Sequence, residues 1–292
     1  MASRTFHGRG GLFAAGGVAA LALLCAACAS APTTGPGRPR GPATPYPVVL
    51  AASDERRERA LAEWASALGG AAGDAPELQP VTATLLALPP ALASPPRLPR
   101  VIIDDAAEQS EEETRESLRR FLDSAPSLVG SELRDLSLVE IVDAPGGAKL
   151  ARYQQRPFHY PLRNGYGRVE ITFTPDLRVT NLSSTAVPDG ERLRTLLRNV
   201  ARQLTAEQAA ASLAGRAFTY TDAAGTQQTR AAAQADITPR ELVVFPVRRE
   251  GPPAALELRF AWELEVGGTG APVLVYIDAV NGEQLAATPA PR

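Results

Sequence analysis

The stretch that decides the fold is Leu256-Glu-Leu-Arg-Phe-Ala-Trp-Glu-Leu-Glu-Val266. Leu256, Leu258, Phe260, Trp262, Leu264 and Val266 occupy every second position, with Glu257, Arg259, Ala261, Glu263 and Glu265 between them. Side chains alternate across a strand but spread around a helix, so this period predicts a β-strand. One face meets a core, and the other is expected to expose Glu263 and Glu265. Downstream, runs over 273–279 and 283–287 flank Asn281-Gly282, a pair suited to a tight hairpin turn. Asp278 and Glu283 border that turn, where an aspartate caps backbone donors. Upstream, Glu241-Leu-Val-Val-Phe-Pro-Val247 reads as a short strand.

Two helices precede these strands. Over 191–204, Leu193, Leu196, Leu197 and Val200 share a face, with Arg192, Arg194, Arg198 and Arg202 largely off it. We read the arginines as a solvated outer face; binding an acidic partner is the alternative. Thr205-Ala-Glu-Gln208 is a capping box opening a second helix that ends at Gly215. Further upstream, strand patterns over 136–142, 148–155, 169–174 and 179–182 are joined by Gly146-Gly147 and Pro175-Asp176 turns, a meander preceded by a helix. That helix starts at the capping box Ser110-Glu-Glu-Glu113, whose acidic run suits the helix dipole, and buries Leu118, Phe121 and Leu122. Ser53 opens another helix carrying Leu61, Trp64, Ala65 and Leu68 on one face. The fold class is therefore α+β, in two small units after a disordered tether.

The division follows the composition. At 292 residues, the chain is longer than the ~250 that one core normally serves. Residues 1–28 combine Arg4 and Arg9, an apolar run over 11–24 and small residues before Cys28, the order of an export signal. The apolar run is too short for a spanning helix, which needs ~20 residues. Leu24-Cys25-Ala26-Ala27-Cys28 resembles a bacterial lipobox, which implies lipid attachment at Cys28 and places the protein in the cell envelope, facing the periplasm or the exterior. Cys25 stands where an aliphatic residue is usual. Residues 29–52, rich in Pro, Gly, Thr and Arg, are expected to be an unpacked tether. Residues 53–100 hold the first helix and an Ala/Pro-rich linker, 101–188 the first α+β unit, 189–288 the second, and 289–292 a tail.

The scarce residues exclude whole classes of chemistry. Beyond Cys28 there is no cysteine and one histidine, His159. A zinc ribbon, a disulfide, a thiol nucleophile and a His-x-x-x-His metal site are all excluded from the body. No Gly-x-Ser-x-Gly elbow accompanies His159, and the only lysine, Lys149, lies in no phosphate-binding loop. A formal charge of −2 gives no field for nucleic acid. An enzyme would need a carboxylate pair such as Asp104 with Asp105, which point apart on an extended chain, or Asp278 with Glu283, which read as turn residues. No catalytic activity, cofactor or metal is expected.

Tyr153-Gln-Gln-Arg-Pro-Phe-His-Tyr-Pro-Leu162, followed by Gly165 and the strand from Val169, resembles the fungalysin/thermolysin propeptide module. Gln154, Gln155, Pro161 and Leu162 match that pattern; His159 and Tyr160 stand where it has glycine and valine. Glu241–Pro246, Phe260–Val266 and Tyr276–Leu285 together resemble a PepSY domain, the module that follows the propeptide in such precursors. The resemblance implies helices on curved antiparallel sheets that block, and help to fold, a secreted zinc peptidase. No His-Glu-x-x-His is present, so peptidase activity does not transfer. The expected function is a lipid-anchored envelope protein that binds an exported peptidase or another envelope protein and inhibits or chaperones it. Gln154, Gln155, His159, Tyr160, Pro161, Glu263 and Glu265 are its candidate contacts. The alternative is an envelope scaffold or small-ligand binder without a peptidase partner, which a large apolar pocket on the Leu256–Val266 face would favour.

Overall fold

A computed structural model describes residues 44–68, 75–89, 92, 94–102, 110–156, 158–268 and 270–291. The export signal, Cys28, most of the tether, and Asp104 and Asp105 lie outside these residues. Residues Pro42–Arg292 form one compact unit.

The chain enters as strand β1 (Val48–Ala51), then helix α1 (Asp54–Ala67), whose N-cap Ser53 accepts a hydrogen bond from the Arg56 amide. Strands β2 (Glu77–Leu78) and β3 (Leu85–Ala87) form a small hairpin. Helix α2 (Glu111–Asp123) starts with the expected capping box, Ser110 and Glu113 each bonding the other's amide, and α3 (Pro126–Val129) is one turn closed by Gly130. Strands β4 (Leu136–Asp143), β5 (Lys149–Gln155), β6 (Arg168–Phe173) and β7 (Val179–Ser184) make an antiparallel meander in that spatial order. Ala151, Tyr153, Val169, Ile171, Phe173 and Leu182 bury one face of it against Leu118, Phe121 and Leu122 of α2 and Trp64 of α1.

The second half has α4 (Gly190–Arg198), α5 (Ala206–Leu213), β8 (Ala217–Thr221), β9 (Gln227–Ala231), β10 (Ile237–Arg249), β11 (Ala255–Val266), β12 (Val273–Asp278) and β13 (Gln284–Pro289). Strand β11 is central: β10 pairs along its whole length on one edge, while β1 and β12 share the other. Leu256, Leu258 and Phe260 pack with Leu193 and Leu197 of α4, and Leu264 and Val266 pack with Ala209, Ala210 and Leu213 of α5. The architecture is thus α+β, with few helices against several antiparallel sheets.

Four expectations change. Val48–Ala51, assigned to the tether, is a strand on β11 with Val48 and Leu50 buried. The Ala/Pro-rich linker is packed: Leu78, Leu85 and Leu98 join the first core, and the Thr84 hydroxyl donates to the Ser184 carbonyl at 2.9 Å. Helix α4 stops at Arg198 because the following chain turns to the β12–β13 hairpin, where the Gln203 and Leu204 amides both donate to the Ala279 carbonyl. Strand β10 spans 13 residues despite Pro239 and Pro246. It tolerates Pro246 because that residue's nitrogen faces away from β11, on the side where Val244 bonds a loop instead.

Candidate functional site

The propeptide-like segment Tyr153–Leu162 runs from β5 across to the second sheet and fastens there. Leu162 forms a parallel bridge with Val244. The Val244 amide donates to the Pro161 carbonyl at 2.9 Å, and the Arg163 amide donates to the Val244 carbonyl at 3.0 Å. Asn164 Nδ2 adds a bond to the Pro246 carbonyl at 2.8 Å. These bonds occupy the outer edge of β10, so the segment is a seam between the two sheets.

The expected contact residues do not form one surface. Gln155 is internal: Nε2 donates to the Val187 carbonyl at 2.9 Å and to Ser131 Oγ at 3.3 Å, and Oε1 accepts from the Val187 amide at 2.8 Å. Gln154 is half-buried against Gly167, which has a φ of +81° and where a Cβ would come within 2.8 Å of Leu162. His159 is exposed and is not among the residues with positive φ, so the turn departs from one needing glycine there. The Tyr160 ring meets Phe260 edge-on at 5.5 Å.

Glu263, expected on the exposed face, is 2% exposed. The outer face of β11 is itself covered, with Ala261 clustered among Val243, Phe245, Leu274 and Tyr276. Glu263 Oε2 accepts from Arg163 Nε at 2.7 Å and from the Tyr276 hydroxyl at 3.1 Å. Burial, then the Glu263 carboxylate, pushes the Tyr276 phenol up to about 12. Glu265 is half-buried beside Arg240 at 3.4 Å. Arg163, adjoining the motif, was not singled out in the sequence; a charge that close to Gln154–Leu162 was the available signal.

Asp278 is fully buried and serves as a hub. It accepts from the Tyr46 hydroxyl at 2.9 Å, Arg259 Nη1 at 3.3 Å, and the Val280 and Asn281 amides at 2.8 and 3.2 Å. The last two bonds are the turn capping read from the sequence. Glu283 shares Arg259 at 2.8 Å, so both carboxylates of that pair hold one guanidinium. Burial first, then Asp278, raises the Tyr46 phenol well above its ordinary value. Among the described residues, no group of three or more His, Cys, Asp or Glu side chains is placed to hold a metal ion, and no helix is long and apolar enough to cross a membrane.

A further apolar feature lies elsewhere. Among the described residues strand β4 pairs only with β5, which leaves its outer edge without a neighbouring strand there. A register shift between Leu138 and Glu140 makes Val139 an extra residue, and its side chain is 59% exposed. Leu136, Leu138 and Ile141, partly covered, continue the surface into a groove of about 760 Å³ between β4 and α2. Lys149, Arg115 and Glu140 edge this groove. The two ends of the Leu256–Val266 face, in contrast, are filled: Leu256, Leu258, Leu264 and Val266 have no exposed surface.

No protein-family model matches the chain, and no curated protein matches it. Among solved structures it is similar to the Bacillus megaterium YpeB C-terminal domain, at 10% identity and a TM-score of 0.31, over 74% of this chain and 76% of that one.

Proposed function

We propose that this protein is a non-catalytic component of the bacterial cell envelope, lipid-anchored through Cys28, that binds an exported metallopeptidase and inhibits it or assists its folding. The sequence order supports this reading: an export signal with a lipobox, a tether, then segments resembling a propeptide module and a PepSY domain. The single observation that carries binding is the β4 edge with its groove against α2. Free strand edges offer unpaired amides and carbonyls to an extended chain, and side-chain pockets alongside set specificity. Val139 and Ile141 supply the apolar contact, with burial of such a side chain contributing up to about 1.5–3 kcal/mol. The buried carboxylates Glu263 and Asp278 hold the body together and leave the contact surface to β4.

The test is a titration of the full chain into a thermolysin-like zinc peptidase from the same envelope, reading proteolysis and the yield of active enzyme on refolding. Stoichiometric inhibition or raised yield is expected, weakened by Val139→Lys. A large molar excess that changes neither readout refutes the peptidase as partner.

A further inference from the structure

Many arginines among the described residues are paired: Arg56 with Asp189, Arg115 with Glu111, Arg152 with Glu140 and Arg259 with Glu257 are examples. Arg194 and Arg198 belong to the unpaired remainder and are set apart by lining one concavity together with Arg202. Among the described residues they form no ion pair, although they sit one turn apart on α4, where like charges repel. Arg202 joins them, with its guanidinium 5.7 Å from the Tyr160 ring centre and Nη1 donating to the Tyr160 hydroxyl at 2.6 Å. The three guanidinium-bearing residues and exposed His159 line one concavity of about 110 Å³, and no carboxylate lines it. Its accessible apolar wall is Phe158 with the Tyr160 ring, over a buried base of Leu197, Val200, Val244 and Phe260.

We propose that this concavity docks an acidic segment of a partner polypeptide, seating one aliphatic side chain against Phe158 and Tyr160, above buried Phe260, while flanking carboxylates pair with Arg194 and Arg198. The size decides the class. Small-molecule sites occupy roughly 300–1,000 Å³, whereas 110 Å³ accommodates about one side chain. The charge decides the flanks, because uncompensated guanidinium groups above an apolar floor favour carboxylates and form strong, charge-assisted bonds with them. Tyr160 fixes Arg202 in advance, so less freedom is lost when an anion arrives. The site stands on the helical side of the larger sheet and is independent of β4 and of the peptidase reading.

The experiment is fluorescence anisotropy with the full chain in mild detergent and three labelled probes. One is the peptide Ser-Asp-Glu-Leu-Glu-Asp-Ser; one has its leucine replaced by serine; one has its acids replaced by their amides. The first should bind, and each replacement should weaken binding at least about tenfold. These comparisons use the unaltered protein, so they decide the matter without any variant. Arg194→Gln with Arg198→Gln should cost a similar factor while the thermal unfolding curve is retained. Val139→Lys should leave binding unchanged. Equal binding of the leucine and serine probes, equal binding of the amide probe, or no binding of the first probe at millimolar concentration overturns the proposal. If phosphatidylglycerol vesicles bind through Arg194 and Arg198 while the peptide does not, the surface is a lipid contact and the proposal is also overturned.

Discussion

Replacing Arg163 by methionine removes the cation from Glu263 and preserves side-chain length. In the native protein the Glu263 side chain is 3% exposed and the Arg163 side chain 29%. After the change, the carboxylate keeps only the Tyr276 hydroxyl of its two side-chain partners at Oε2. Removing one member of a buried pair costs about 3–5 kcal/mol. Partial access of water at Arg163 places the expected loss near the lower end, about 3 kcal/mol. Losing Glu241 as a second partner adds little, because that side chain is 47% exposed. Against a typical total stability of about 5–15 kcal/mol, this is a large fraction. Urea unfolding followed by circular dichroism measures it, with an unchanged slope certifying that the same surface unfolds. Adding Glu263→Gln should recover much of the loss, since a neutral amide is far cheaper to bury than an unpaired carboxylate. A loss below about 1 kcal/mol for Arg163→Met, or a double variant no more stable than the single one, refutes the view that this pair holds the seam.

Gly130 has a φ of +75°, and a Cβ there would collide with the Thr84 methyl; Gly130→Ala should cost about 2–4 kcal/mol, read as a lowered melting temperature. Thr205→Ala removes the cap on the Gln208 amide and should cost about 1 kcal/mol in the same assay. Burial pushes the Tyr153 and Tyr276 phenols up to about 12, against about 10 in an unfolded chain. The stability they contribute is therefore intact below pH ~10 and is lost as the pH rises through ~12, and Tyr276→Phe should flatten that decline in unfolding curves taken across this range.

What was legible in the sequence was what local physics fixes. Strand β11 announced itself by alternation, α2 and α5 by capping boxes, and the β12–β13 hairpin by Asn281-Gly282. What was not legible depended on distant partners. Four residues at Val48–Ala51 carry too short a pattern to stand out from a Pro-rich stretch, and their pairing partner lies about two hundred positions away. Pro239 and Pro246 concealed the length of β10, because only its place at a sheet edge makes prolines acceptable. The β8–β9 hairpin, with its largely exposed side chains, offered little apolar period to read. Glu263 misled for a related reason: alternation tells two faces apart but not whether the second face is also covered. The candidate site shared this limit, since the 136–142 run reads as a strand while its position at the edge of the sheet is set by topology alone.

With the proposed lipid anchor at Cys28 in place, the fastening of Tyr46 determines where the body can be cut loose from it. Its hydroxyl donates to Asp278 and accepts from the Phe260 amide, and β1 follows immediately with Val48 and Leu50 in the core. A protease acting before Tyr46 would shed an intact body from its mooring. Cleavage after Ala51 would instead strip two core side chains and bare the Ala255–Leu258 edge of β11, turning release into damage and leaving an adhesive strand exposed. Under that proposal, cleavage before Tyr46 releases the body whole, and the few residues after it are the ones a shedding protease must spare.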